Sequence, residues 1–356
     1  MKKSVRYLAA LLALALVAAA CGDEGGNGDG DSIHVGLVFD IGGRGDQSFN
    51  DAAAAGMDRA ETELGVTSSE ASPNDDGSNR AELLQLAADQ SDIVVAVGFL
   101  FEADAAAVAA ENEEVNFAVV DTAMLNFEVD PPAPYGDNTA GLVFAEHEGS
   151  FLVGAAAALK SETDVIGFIG GVSGMGGLIE KFEAGFIAGA RAVNPDIEIV
   201  RQYITAAPDF DGFVAPDRAR DIALSMYQDN GADIIYHAAG LSGSGLFDAA
   251  KEHSEATDSK VWAIGVDSDQ YNTAGDEVKD YILTSMLKRV DVAVFEIIKA
   301  HIDGNFAAGP QTYDLSVDGV GYATSGGFID DITDQLDDFK QQIVDGDIEV
   351  PTTPAS

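Results

Sequence analysis

Cysteine is almost absent from this chain: Cys21 is the only one among 356 residues, so no internal disulfide can form. Basic residues are scarce too. Asp and Glu outnumber Lys and Arg 61 to 19, for a formal charge of −42. Such a surface repels nucleic acid and anionic membrane, which carry the same sign, and no nucleic-acid partner is expected. The acidic residues are scattered through helical segments rather than gathered in one block, which fits solubility in an ion-rich medium. After Cys21 no continuous apolar run is long enough to cross a bilayer; Phe151–Leu159 stops at Lys160, far short of about 20 residues. The five histidines, at 34, 147, 237, 253 and 301, show no HExxH or other metal-ligand spacing. Asp267-Ser268-Asp269 lacks the remaining ligands of an EF-hand loop. No nucleophile–base pair is legible, so neither an enzyme nor a cofactor or metal is expected.

What is present begins with a processing signal. Lys2, Lys3 and Arg6 precede the apolar stretch from Leu8 to Val17, and Ala18-Ala19-Ala20 then leads to Cys21. This resembles a bacterial lipoprotein signal, with residues 1–20 removed and a diacylglycerol placed on the Cys21 sulfur, anchoring the chain to the outer face of the cell membrane. Residues 21–31 have almost nothing apolar to bury and read as a flexible linker. The remainder exceeds the usual size of a single core, so two lobes are expected.

The stretch Val35–Asn50 sets the pattern for the rest. Val35-Gly36-Leu37-Val38-Phe39 suits a strand buried on both faces. Gly42, Gly43 and Gly45 favour a tight loop, and Ser48 or Asn50 is the N-cap of a helix running through Leu64. Strand candidates Ile93–Val97 and Phe117–Val120 follow, alternating with helical segments 79–90 and 103–113. A second series has strands at 165–169, 197–203, 234–237 and 261–266. Its helices fall at 148–160, 178–193, 217–230 and 245–255, and a later helix is expected over 287–302. Alternation of this kind predicts an α/β fold of two doubly wound parallel-sheet lobes. Pro131-Pro132-Ala133-Pro134 reads as a rigid loop. Ligands bind beyond the carboxyl ends of such strands, where the loop 40–50 sits.

Several blocks are similar to the basic-membrane-protein family of substrate-binding lipoproteins, whose better-known members are purine nucleoside receptors of ABC transporters. They are Asp40-Ile41-Gly42-Gly43 with Asp46-Gln47-Ser48-Phe49-Asn50, Val97–Phe101, Phe117–Asp121, Glu180–Phe186, His237–Gly240, Ile264–Gln270 and Thr284–Asp291. The resemblance implies a type I periplasmic-binding-protein fold with three hinge crossings. These are placed near 140–146, 270–282 and 309–318, with residues 32–142 and 283–308 in the first lobe and 143–282 and 309–350 in the second. It implies a monomer that closes on a nucleoside and presents it to an ABC permease. Phe49 is implied as one stacking platform and Phe213 as the second, with Phe210 a competing ring. Asp40, Asp46 and Asn50 would meet the base edge, Ser48 would also contact the ligand, Asp121 and Gly240 would face the cleft, and Asp267 with Lys288 would hold the ribose.

Plainer roles stand beside these. Asp40 can cap its own loop, Lys288 can be a surface charge beside Arg289, and His237 can simply pack at a strand end. The Gly-rich runs 170–177 and 240–245 lack the G-x-G-x-x-G spacing of a dinucleotide loop, and Arg44-Gly45-Asp46 lies inside the pocket loop rather than on an adhesive surface. A same-fold receptor for a sugar or an autoinducer-like ligand is the main alternative; a secreted nucleoside-processing enzyme and a surface adhesin are weaker ones.

Overall fold

The structure, a computed structural model, describes residues 32–74 and 77–355. The expected signal peptide, Cys21 and the linker 21–31 lie outside the described residues. Along the chain run β1 (His34–Val38), α1 (Phe49–Leu64), β2 (Thr67–Ala71), α2 (Arg80–Ala88), β3 (Ile93–Ala96), α3 (Glu102–Glu111) and β4 (Asn116–Val120). A short hairpin of β5 (Leu125–Asn126) and β6 (Ala133–Pro134) then leads to β7 (Thr139–Phe144) and α4 (Glu146–Lys160). The second series is β8 (Val165–Ser173), α5 (Leu178–Val193), β9 (Glu198–Ala206), α6 (Pro216–Gln228), β10 (Ile234–Ala238), α7 (Gly243–Thr257), β11 (Trp262–Asp267), α8 (Gln270–Thr273) and β12 (Ile282–Lys288). The chain finishes with α9 (Val290–Ile302), β13 (Gly309–Tyr313), β14 (Val320–Tyr322) and α10 (Thr333–Val344).

These strands form two six-stranded sheets, in the orders β13-β7-β4-β3-β1-β2 and β14-β12-β11-β10-β8-β9. All pairings in both are parallel except β12 with β14. The reason is in the strands themselves: β3 and β10 are buried at every position and β1 and β4 nearly so, as parallel strands covered on both faces must be. The helices supply the covering faces. In α1, Ala52, Ala53, Met57 and Ala60 make an apolar stripe. Gly56 brings it against α9, where an added Cβ would lie 2.4 Å from the Asp291 carbonyl oxygen.

The chain passes between sheets three times: at Ala145 between β7 and α4, at Arg289 between β12 and α9, and at Asp314 after β13. Two expected boundaries are corrected by this. The strand Ile282–Lys288 pairs with β11, so the second passage lies at Arg289 and not at 270–282, and residues 283–288 belong to the second sheet. The strand Gly309–Tyr313 pairs with β7, so residues 309–313 belong to the first. The helix expected from 287 starts at Val290, because Leu287 and Lys288 are held in the ladder. The proline run is no plain loop either: Ala133 and Pro134 pair with Asn126 and Leu125.

The carboxy-terminal helix packs on α4, where Phe339 meets Phe151 edge-on with ring centroids 5.4 Å apart. Beyond it, Arg201 donates from Nη1 to the Ala355 carbonyl oxygen at 3.1 Å, tying the tail to β9. Among the described residues no helix is long and apolar enough to cross a membrane.

Candidate functional site: a cleft between two sheets

The carboxyl ends of β1, β3 and β4 face those of β10, β11 and β12 across a cleft with about 700 Å³ of empty space, its mouth included. The first-sheet wall is Asp40, Ile41, Asp46, Phe49, Asn50, Gly98, Phe99, Leu100 and Asp121. Opposite stand residues of the second series, among them Leu178, Ile179, Phe182, Phe213, Ala238–Leu241, Val266, Asp267 and Lys288. The cleft thus brings together Asp40, Asp46, Phe49, Asn50, Asp121, Phe213, Gly240, Asp267 and Lys288, while Ser48 and the competing ring Phe210 lie outside its lining.

Asp121 and Asp267 occupy corresponding places. Each follows or ends the fourth strand from the β2 or β9 edge of its sheet, and each has a left-handed backbone, at φ 68° and 64°. Such conformations are costly for non-glycine residues and collect at functional sites. Between them stands Lys288, 2 % exposed. Its Nζ lies 2.6 Å from Asp121 Oδ1 and 3.4 Å from Glu146 Oε1, while Lys181 Nζ is 3.5 Å from Glu146 Oε2. The Asp121 contact is an ion pair without hydrogen-bond angles, since that oxygen has no hydrogen-bond partner. Rings complete the enclosure. Lys288 Nζ is 5.1 Å from the centroids of both Phe49 and Phe144 and 5.5 Å from that of Phe182, within cation–π range.

Burial works against the Lys288 charge, but Asp121, Glu146 and Asp267 together outweigh it and hold the ammonium above its ordinary range. The carboxyls respond in the opposite sense. Burial pushes Asp267 up to about 7, against the pull of Lys288 and a Ser48 hydrogen bond. Asp40 is pushed up to about 6 by burial, opposed by the Ile41 amide. Asp121 and Asp46 are also raised, chiefly by burial.

The loop residues divide into supporters and presenters. Asp46 accepts from Ser48 N and Asp51 N on one oxygen, and from Asn50 N and Asn50 Nδ2 on the other, at 2.8–3.1 Å. Those four bonds fill its lone-pair sites. Asp46 therefore caps α1 while also standing on the cleft wall. The expected caps do not act: Ser48 stands at the N-cap position without a side-chain cap bond. Asn50 joins the loop to the helix, accepting from Asp40 N at 3.0 Å and donating to Ile41 O at 3.4 Å.

Asp40 spends one oxygen on Ile41 N at 2.8 Å. Its other oxygen would lie 2.2 Å from a Cβ on Gly98, whose φ is 106°. Only glycine lets Asp40 hold this place. Ser48 is fully buried and lines no part of the cleft; its hydroxyl points to Asp267 Oδ2, 2.8 Å away, and Val266 O. The expected contact between Ser48 and a ligand is replaced by a contact between the two walls.

Of the two competing rings, Phe213 lines the cleft, while Phe210 sits edge-on to Phe99, with centroids 6.4 Å apart. Phe213 lies against Gly171, where an added Cβ would be 2.6 Å from its Cδ1. Sequence reasoning missed Phe99, Leu178, Ile179, Phe182 and Leu241, because apolar residues at a helix start look like core until the second wall is in place. His237, fully buried, packs edge-on to Phe247 and contacts Gln270 Oε1 at 3.1 Å. Among the described residues no group of three or more His, Cys, Asp or Glu is placed to hold a metal.

Comparison with known proteins agrees with this architecture. Residues 33–354 match the family described as "ABC transporter substrate-binding protein PnrA-like". The chain is 34% identical to the "CD4+ T-cell-stimulating antigen" of Listeria innocua, covering 98% of each chain. It is 32% identical to the "ABC transporter nucleoside-binding protein BmpA" of Lactococcus lactis, over 99% of this chain and 100% of that one. Among solved structures, a solute-binding protein of an ABC transporter system from Aeropyrum pernix K1 superposes with a TM-score of 0.75 at 28% identity, over 91% of this chain and 94% of the other. With its fold, its cleft between two sheets and nearly its whole length accounted for, this chain belongs to the Bmp family of PnrA-like ABC-transporter substrate-binding proteins, which are solute receptors and not enzymes.

Proposed function

We propose that this protein captures a nucleoside, of the purine type, between its two lobes and delivers it to the permease of an ABC importer. The observation that carries the reading is the pairing of aromatic and charged groups in one cleft. Phe49 and Phe213 come from opposite walls, and Asp267 and Lys288 stand beside them. A purine is a flat, weakly polar ring that two phenyl faces enclose well. A ribose offers vicinal hydroxyls that one carboxylate accepts from together, while an ammonium donates in return. Asp40, with one oxygen uncommitted to its loop, reads the base edge, and Asp121 and Gly240 complete the lining. Four acidic groups against one lysine disfavour a phosphorylated ligand. The Lactococcus relative's name is in keeping with the reading.

Closure bends the three passages at Ala145, Arg289 and Asp314, and ligand contacts from both walls favour the closed form only by their differential affinity. The lipid on Cys21 holds the receptor, acting as a monomer, at the outer face of the membrane. A thermal-shift and calorimetric panel of purine and pyrimidine nucleosides, nucleotides and monosaccharides tests the ligand class. Purine nucleosides are expected to raise the melting temperature most. A response confined to monosaccharides would replace this reading with a sugar receptor.

A further inference from the structure

One contact between the lobes involves no cleft-lining residue apart from Asp267 and Val266. Gln47 and Ser48, at the first-sheet side, meet residues 266–273 of the second. The Gln47 carbonyl oxygen accepts from Gln270 Nε2 and from Thr273 Oγ1, each at 3.1 Å, so both of its lone pairs are used. The Ser48 carbonyl accepts from Ser268 Oγ at 3.0 Å, and the Ser48 hydroxyl shares its single proton between Asp267 Oδ2 and Val266 O. Gln47 has φ 56°, a left-handed conformation that turns its carbonyl to these donors and is costly unless something repays it. Gln270 is itself anchored in the second lobe, accepting from Val266 N at 2.8 Å and contacting His237 Nε2.

We propose that Gln47 and Ser48, with Ser268, Gln270 and Thr273, form an interlobe latch that sets the lifetime of the closed form without touching the ligand. Bonds that exist only when the lobes meet stabilise the closed form alone. Each neutral hydrogen bond of this kind is worth about a two- to twelve-fold shift in population. The latch lets a receptor hold its ligand longer than the cleft contacts alone allow, and a partner that separates 47–48 from 266–273 releases the ligand without competing for the cleft. The inference rests on the lobe closure proposed above and is independent of the ligand's identity.

The test needs no ligand. In a Cys21→Ser background, dyes on Glu82→Cys in the first lobe and Asp248→Cys in the second, both exposed, report the closed-to-open ratio by single-molecule energy transfer. Thr273→Val and Ser268→Ala each remove one hydroxyl, and Ser48→Ala does so without uncapping α1, which Asp46 holds. Thr273→Val and Ser268→Ala are each expected to lower the ratio about two- to twelve-fold, and Ser48→Ala, which loses a bond to a carboxylate, by at least as much. Thr273→Ser, which keeps the hydroxyl, is expected to retain the wild-type ratio. With a ligand from the panel, Thr273→Val and Ser268→Ala should release faster at an unchanged association rate. Ratios equal to wild type in all three variants, or an equal loss in Thr273→Ser and Thr273→Val, would overturn the latch, whatever the panel shows.

Discussion

Lys288 Nζ, at the end of a strand in the second sheet, lies 2.6 Å from Asp121 Oδ1, just past the end of a strand in the first. The pair is buried and joins the lobes beside two of the three chain passages, because Lys288 precedes Arg289 and its second partner, Glu146, follows Ala145.

Removing the cation leaves Asp121, Glu146 and Asp267 facing one another without compensation. Lys288→Met is therefore expected to destabilise the protein by about 3–5 kcal/mol, the usual cost of breaking a buried pair from one side. Asp121→Asn should cost less, since Glu146 remains 3.4 Å from the ammonium. Urea unfolding of both variants against wild type measures the order, and equal losses would contradict it.

The raised carboxyls give stability a definite pH sign. Asp267 titrates near 7 and Asp40 near 6 in the folded protein, against 3.8 ordinarily, so the folded state binds more protons than the unfolded state between about pH 4 and 7. Their contribution is full below the ordinary value and is lost as pH rises through the folded ones. His237, lowered to about 4 by burial, acts in the opposite direction between about pH 4 and 6.5. The difference between wild type and Asp267→Asn isolates the carboxyl. Asp267→Asn should gain relative stability as pH rises from 5 to 8, measured by denaturant unfolding at each pH.

The ring assignments separate by substitution. Phe49→Ala and Phe213→Ala should each weaken nucleoside binding by roughly 1–3 kcal/mol, the worth of one stacked base, whereas Phe210→Ala should change it little. Gly171→Ala should act like a milder Phe213 variant, because its methyl displaces the ring that rests there. Calorimetry on the four variants tests this, and a Phe210→Ala loss as large as that of Phe213→Ala would reverse the assignment.

The anchor is tested by fractionation. Cys21→Ala should move the protein from the membrane to the soluble extracytoplasmic fraction and abolish incorporation of labelled fatty acid. Retention on the membrane would show that another feature holds it there.

Composition and periodicity determined the α/β class, the repetition of strand–loop–helix units and the placing of site residues at strand ends. Those features follow from local rules: apolar runs fill parallel strands, and loops after them face one edge. The edge strand Thr67–Ala71 was not legible, because only Ser68 and Ala71 are partly covered and its side chains carry no apolar signal. The assignment of 282–288 and 309–313 to sheets was decided by pairing partners far away in the chain, which no local pattern encodes.

Within the site, the family resemblance put Asp40, Phe49, Asp267 and Lys288 at the cleft, and all four line it, but it could not divide labour between near-identical groups. Tertiary structure alone gave Asp46 to the helix and left Asp40 an uncommitted oxygen. It turned Ser48 toward the other lobe and put Phe213, not Phe210, on the cleft lining, against Gly171. Those outcomes depend on which donors and surfaces meet across the fold, and a one-dimensional pattern holds no record of that meeting.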